Sequence, residues 1–299
     1  MKVTSAVLCG AALGLVQAGP VTKRADITDA DILNYALTLE HLEAAFYEEG
    51  LKNYTREDFM NAGMTDSFYD NLKMVGMDEV SHEDFLTQAL TAAGARPVAR
   101  CNYSFPSTDA KSFLSLASVL EGVGISAYLG AAASIMDKTY LTAAGSILTV
   151  EARHSAYLRA ALGEAPAPHP FDTPLDLNEV YTVASPFITS CPSSNGELPV
   201  KAFPSLIMSM SPMEPAVAGS VIRLMVGDGF EMMDTANVHA AFITVTGPMW
   251  AAAVSHGEGG FTVTVPEGIA GQSYVVLTNG DKQATDDNIL AGPAIIEVN

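Results

Sequence analysis

The sequence predicts an α+β protein: a four-helix bundle followed by a C-terminal antiparallel β-sandwich. Three observations predict it. Between residues 29 and 162 apolar residues recur at alternating steps of three and four with little proline, the spacing of core-facing helices. Residues 164–200 then carry 7 of the 16 prolines, the texture of a linker that wraps around a core. Beyond 200 the period becomes two, in β-branched runs such as "AAFITVTG", "FTVTVPEG" and "GQSYVVLTNG", bounded by Gly, Pro and Asn. A chain of 299 residues with 48% hydrophobic content suits one large domain or two modest ones.

The N-terminus reads as targeting rather than structure. Residues 1–18, "MKVTSAVLCGAALGLVQA", have one Lys, an apolar run and small residues before a cut after Ala18. Residues 19–24, "GPVTKR", form a short propeptide whose Lys23-Arg24 resembles a processing site of the fungal secretory pathway, so the mature chain starts at Ala25. The expected location is secreted. Cys9 leaves with the signal, and the remaining Cys101 and Cys191 are expected to pair in an oxidising compartment. Asn53-Tyr54-Thr55 and Asn102-Tyr103-Ser104 are sequons for glycosylation. Lys+Arg number 15 against 34 Asp+Glu, a net charge of −19 that repels nucleic acid and anionic membranes. No stretch beyond the signal reads as transmembrane.

The helical part, residues 25–163, yields four segments. The first runs from a cap at Thr28 to Leu51, and the second spans 65–93. The third runs from Ser107 or Asp109 to 137. The fourth, after a turn around "DKTY", reaches Leu162 and stops at Gly163. Within the 164–200 linker "DLNEVYTVASPF" predicts a short helix capped by Asp176 or Asn178 and packed on the bundle. Residues 201–299 are left for the sandwich.

The chemistry lies on the helical stripes. Helix four reads Ala144, Ile147, Glu151, His154, Leu158, Ala161, with a carboxylate and an imidazole where Leu is expected. Helix two repeats this as Phe68, Leu72, Val75, Glu79, His82, Leu86, Ala89. Residues three apart share a helical face, so each Glu-x-x-His pair converges on one point. Helix one contributes Leu33, Ala36, Glu40, Glu43, Tyr47, and helix three Leu114, Ala117, Glu121, Gly124, Tyr128. The order Glu-x6-Tyr then Glu-x-x-His therefore occurs twice. Four carboxylates gathered in one core would raise one another's pKa until most were protonated, unless cations joined them. Six O and N ligands serve two metal ions with bridging carboxylates. Without thiolates, that set suits iron or manganese.

These residues resemble a known family. Glu40, Glu79-x-x-His82, Glu121 and Glu151-x-x-His154 look like the di-metal carboxylate signature of the ferritin-like superfamily. "TLEHLEAAFYEEGL", "DEVSHEDFLTQAL" and the tail "VVLTNG…AGPAIIEVN" resemble secreted fungal ferritin-like proteins of stress response or late sexual development, related to desiccation-associated proteins. The resemblance implies Glu40 and His82 on one metal, Glu121 and His154 on the other, Glu79 and Glu151 bridging, and Tyr47 and Tyr128 behind the ligands. On the residues alone, the two tyrosines read equally as ordinary core aromatics. Glu43 reads either as an extra ligand or as a hydrogen-bonded or solvated residue at the stripe's edge. Arg153 falls on the opposite face, and His41 and His169 carry no site signal. Met208, Met210 and Met213 read either as ordinary core or loop methionines or as a thioether cluster for extracellular copper, near His239 and His256 in sequence. A blue-copper centre is excluded, since 201–299 holds no Cys.

The reading that results is a protein with a di-metal centre of iron or manganese; if it is catalytic, it reacts with dioxygen or peroxide as a ferroxidase or other di-metal oxidoreductase. The alternatives are non-catalytic metal binding and a structural cell-surface protein whose sandwich binds wall polymers.

Overall fold

The structure, a computed structural model, describes residues 27–209, 216–227 and 237–299. The predicted signal and propeptide, Lys23-Arg24 included, and the copper candidates Met210 and Met213 lie outside the described residues.

Four long helices make the bundle: α1 (Asp29–Asn53), α3 (Asp66–Ala92), α4 (Ala110–Ala131) and α5 (Lys138–Leu162), with a one-turn-and-a-half α2 (Arg56–Asn61) between the first two. Local chemistry sets most of their ends. Thr28 caps α1 in a reciprocal box with Asp31, and Thr55 with Asp58 does the same for α2, a helix too short for periodicity to reveal. Asp109 caps α4. Gly163, at φ 81°, closes α5 in the left-handed conformation that suits glycine. Two boundaries differ from expectation. The third helix ends at Ala131, followed by a 3-10 turn over Ala132–Ser134. Asp137 then caps α5 by accepting the Thr139 N–H, so "DKTY" starts a helix instead of forming a turn.

Packing fixes the directions. Leu33 and Leu37 of α1 cluster with Leu86 and Leu90 of α3, while Tyr47 faces Gly76, so α1 and α3 are antiparallel. Tyr47 also meets Glu121, and Glu40 meets Tyr128, so α1 and α4 are antiparallel as well. Helices α3 and α4 consequently run the same way, and residues 93–109 must return along the bundle. This crossover is tied down at every stage. Asn34 bonds both Arg96 and Val98, His41 Nε2 lies 3.0 Å from the Val98 carbonyl, and Arg100 pairs with Glu48 and Glu83. Strand β1 (Asn102–Tyr103) pairs with β2 (Ile188–Ser190), beside the Cys101–Cys191 disulfide. Sequons Asn53 and Asn102 are both exposed.

Among the described residues one helix, Ala110–Ser134, is long and apolar enough to cross a membrane by length and composition alone, a test that a mostly buried core helix also passes. Its most apolar window is 67% buried in the bundle, and Glu121 sits within it.

After α6 (Leu177–Ala184), capped by Asp176 in a box with Glu179, the described residues form two four-stranded antiparallel sheets. The strands are β3 (Leu206–Met208), β4 (Val221–Val226), β5 (His239–Phe242), β6 (Met249–Ala252), β7 (Val254–Gly257), β8 (Gly260–Thr264), β9 (Gly271–Thr278) and β10 (Ile289–Val298). One sheet has the order β10-β9-β5-β6 and the other β3-β4-β8-β7. Val275 and Leu277 of β9 point into the sandwich core, whereas Tyr274 points into the bundle core. Strand β9 is thus buried on both faces, which is why it reads as a near-continuous apolar run. The Tyr274 hydroxyl donates to the Gly122 carbonyl of α4 at 2.9 Å, Gln272 reaches the Val119 carbonyl, and Arg159 of α5 pairs with Glu297 of β10. His169 accepts the Ala270 N–H, a structural role.

Asp176 lies beside Asp286 of the β9–β10 loop. Burial foremost, then the charge of Asp286, pushes the Asp176 carboxyl up to about 6. A carboxyl raised in the folded state stabilises it in acid, and that contribution is lost as pH rises through about 6. We expect urea midpoints to fall between about pH 4 and 6 for this reason, with the unfolded value near 4, and Asp286→Asn to flatten that fall.

Candidate metal centre

The two stripe carboxylates of each helix pair meet at mid-bundle. Glu40, Glu79, Glu121 and Glu151 are essentially inaccessible, and His82 and His154 are buried. Their ligand atoms form two groups, each within 4.8 Å: Glu40, Glu79, His82 and Glu151, and Glu79, Glu121, Glu151 and His154. Glu79 and Glu151 belong to both. His82 Nδ1 lies 3.4 Å from Glu40, 3.2 Å from Glu79 and 3.1 Å from Glu151. His154 Nδ1 lies 2.9 Å from Glu79 and 3.3 Å from Glu121.

Proximity is not the same as pairing here. Glu40 Oε2, Glu79 Oε1, Glu121 Oε2, both Glu151 oxygens and His154 Nδ1 are buried without a hydrogen-bond partner. The imidazoles and carboxylates come close, yet much of the set is aimed past its neighbours at shared points. Buried polar atoms left unsatisfied are rare and each demands an account. Cations at the two points would satisfy them together, so the donor set fits a pair of metal ions.

Hydrogen bonds behind this set hold it in place. The Tyr47 hydroxyl donates to Glu121 and the Tyr128 hydroxyl to Glu40. Each tyrosine therefore serves the acid of the other helix, seven residues from its own partner's tyrosine. Burial first, then the neighbouring carboxylates, keeps both phenols well above their ordinary range, so both stay protonated donors. His154 Nε2 lies 3.2 Å from Asp78, an arrangement that leaves Nδ1 facing inward. Asp78 was not singled out in the sequence, because it lies beside the Glu79 stripe on an exposed flank. Arg153 is exposed on the outer face, as its position suggested. His41 Nε2 lies 3.0 Å from the Val98 carbonyl and Nδ1 3.3 Å from Glu83, so the ring belongs to the crossover.

Glu43 requires correction. It is neither solvated nor at an edge: it is 4% exposed and packed beside the centre, though outside both groups of converging atoms. Burial above all, then the charges of Glu151, Glu40, Glu79 and Glu121, holds its carboxyl well above the usual range. Space for it comes from Gly124. A Cβ there would stand 2.9 Å from Glu43 Oε1 and 3.2 Å from Glu151 Oε2. The glycine was visible in the helix-three stripe, but its meaning depends on what packs across from it.

Without metal, protons balance the charge. Burial opposes charge on His82, and Glu151, Glu40 and Glu79 outweigh it, pushing the imidazole up to about 12. The same contest, with Glu121 and Glu79, pushes His154 to about 11. Glu40 rises to about 7, chiefly through burial, and Glu151 well above its ordinary value. Burial also works to raise Glu79, but the two histidines beside it win and hold it below the carboxylate range. Metal ions must displace these protons, so binding releases them.

Comparison with known proteins agrees with this geometry. Residues 28–164 match the family model described as a ferritin-like domain (Ferritin_2). The helical part is a ferritin-like region. The chain is also similar to Protein rds1 of Schizosaccharomyces pombe, with 25% identity over 185 residues, covering 62% of this chain. That match takes in 45% of the relative, so this chain spans less than half of its length. In this ferritin-like region Gly124→Ala should push the Glu43 and Glu151 carboxylates out of place and weaken metal binding, with helix content by circular dichroism unchanged. Asp78→Ala should weaken it by about tenfold, the lower end for loss of a carboxylate behind a histidine ligand. Calorimetric titration with Mn(II) measures both.

Proposed function

We propose that the ferritin-like region binds two iron or manganese ions and that the protein is secreted, oxidising Fe(II) or reacting with dioxygen or peroxide in stress or development. The observation that carries this reading is the pair of four-residue groups sharing Glu79 and Glu151, with their inward atoms unsatisfied by hydrogen bonds. Glu40 and His82 would hold one ion and Glu121 and His154 the other, with Glu79 and Glu151 shared between them. Such a metal pair, once bound, supplies two electrons to an oxidant and keeps open coordination positions. The chain's own part is to hold carboxylates ready in a dry core. Tyr47 and Tyr128 fix the orientation of Glu121 and Glu40 and keep a proton on the donor side of each bond. The Glu43 carboxyl lies beside the centre, where burial and the neighbouring carboxylates favour its neutral form in the metal-free protein.

Export is supported by the N-terminal segment with its Lys23-Arg24 and by the Cys101–Cys191 disulfide. Glycans at Asn53 and Asn102, and contact of the sandwich with the cell wall, belong to the same reading.

Metal analysis of the purified protein, followed by oxygen or peroxide consumption after Fe(II) addition, tests it. Two ions per chain with rapid consumption is the expected result. Stoichiometric metal without turnover leaves a binding protein, and no metal at all leaves a structural one. Glu79→Ala with Glu151→Ala should abolish occupancy. Saturating metal at about 100 times its Kd should stabilise the native protein by about 2.7 kcal/mol for each ion bound. A chelator should lower the melting temperature of the native chain and leave that of the double variant unmoved.

A further inference from the structure

A second feature of the bundle adjoins the centre. Between α1, α3, α4 and α5 lies a cavity with a wholly apolar wall, to which Leu39, Phe85, Tyr128, Ala131, Tyr140 and Ala144 contribute. Its free space is about 20 Å³, room for one or two water-sized molecules. No candidate ligand lines the cavity; its inner end stops at Leu39 and at the Tyr128 ring, one residue and one hydrogen bond from Glu40. Leu39 precedes Glu40, and the Tyr128 ring forms wall while its hydroxyl turns away to donate to Glu40. The outer end reaches the surface at Phe85, which is 44% exposed, and at the half-buried Ala144.

We infer that this cavity is the route by which dioxygen reaches the centre, and hence that dioxygen rather than peroxide is the oxidant; the inference rests on the metal-centre reading above. Size and chemistry select the occupant. A water molecule needs two to four polar partners to stay in a buried site, and this wall offers none. Peroxide would leave both of its hydroxyls unpaired there. Dioxygen is apolar and diatomic, loses no hydrogen bond on entering, and fits the space.

Xenon, an apolar probe that occupies dry cavities, tests the site in the metal-free protein. Under xenon pressure, diffraction or 129Xe NMR should place xenon between Leu39 and Ala131, and Ala131→Phe should exclude it. Both iron-loaded Ala131→Phe and the milder mouth variant Ala144→Leu should then keep their iron content. Their bimolecular rate with dioxygen should fall at least tenfold, while the rate with hydrogen peroxide stays within twofold of the native value. If Ala131→Phe fails to fold, Ala144→Leu carries the same comparison. No xenon in the cavity overturns the inference, as does an unchanged dioxygen rate in a variant that excludes xenon, or a parallel loss of both rates. A protein that binds no iron overturns the parent reading, whatever xenon does, so the two failures are distinguishable.

Discussion

Five buried carboxylates facing two imidazoles in one helical core are the constraint on which the rest of this structure depends. Each ionised group removed from water costs several kcal/mol unless something compensates it. Compensation here is collective and incomplete: His82 lies within ion-pair distance of three carboxylates and His154 of two, two phenols each donate to one carboxylate oxygen, and the inward atoms remain without hydrogen bonds. The arrangement tolerates little slippage. A one-turn shift of α1 against α4 would break both tyrosine bonds at once and strand Glu40 and Glu121 without donors. The bulky apolar layers on either side of the centre, Leu72 and Phe113 below and Leu33 and Leu86 above, hold the register that the polar groups need.

Much of this centre was legible from the chain. Helical periodicity places Glu79, His82, Glu151 and His154 on inward stripes, and ionisable residues on such stripes stand out because burying them is costly. The two Glu-x6-Tyr spacings put each tyrosine on the right face. What spacing cannot convey is which helices are neighbours, and so the crossed pairing of Tyr47 with Glu121 and Tyr128 with Glu40 emerged only in three dimensions. Glu43 was misjudged for the same reason. Its position on α1 is compatible with an edge, and only the absence of a side chain at Gly124 on α4 opens a pocket for it. Asp78, exposed on α3, carried no periodic signal.

In the β part, the β-branched runs bounded by turn residues were a good guide for β8 and β9, the second of them as a near-continuous apolar run, whereas β5 covers only the His239–Phe242 start of its region. The pattern was a poor guide elsewhere. Strand β10 contains Gly292 and Pro293 and loses regular register on both sides of Ala291, so its pattern is broken where its pairing with β9 is interrupted. Strand β3 is three residues long and β4 mixes exposed Val221 with buried Ile222 and Leu224. The prolines of 164–200 do mark a wrapping segment, yet it contributes α6 and a strand, because Leu175, Val180 and Ala184 give it an apolar side that docks on the bundle.

The burial of β9 on two faces has a consequence for assembly. Tyr274 and Gln272 seat the sandwich on the backbone of α4 around Gly122, where a Cβ would collide with Gln272. That flank of the helices is already occupied from within the same chain and is closed to a neighbouring copy. Any higher-order particle would have to be built from the remaining sides of the bundle or from the sandwich itself.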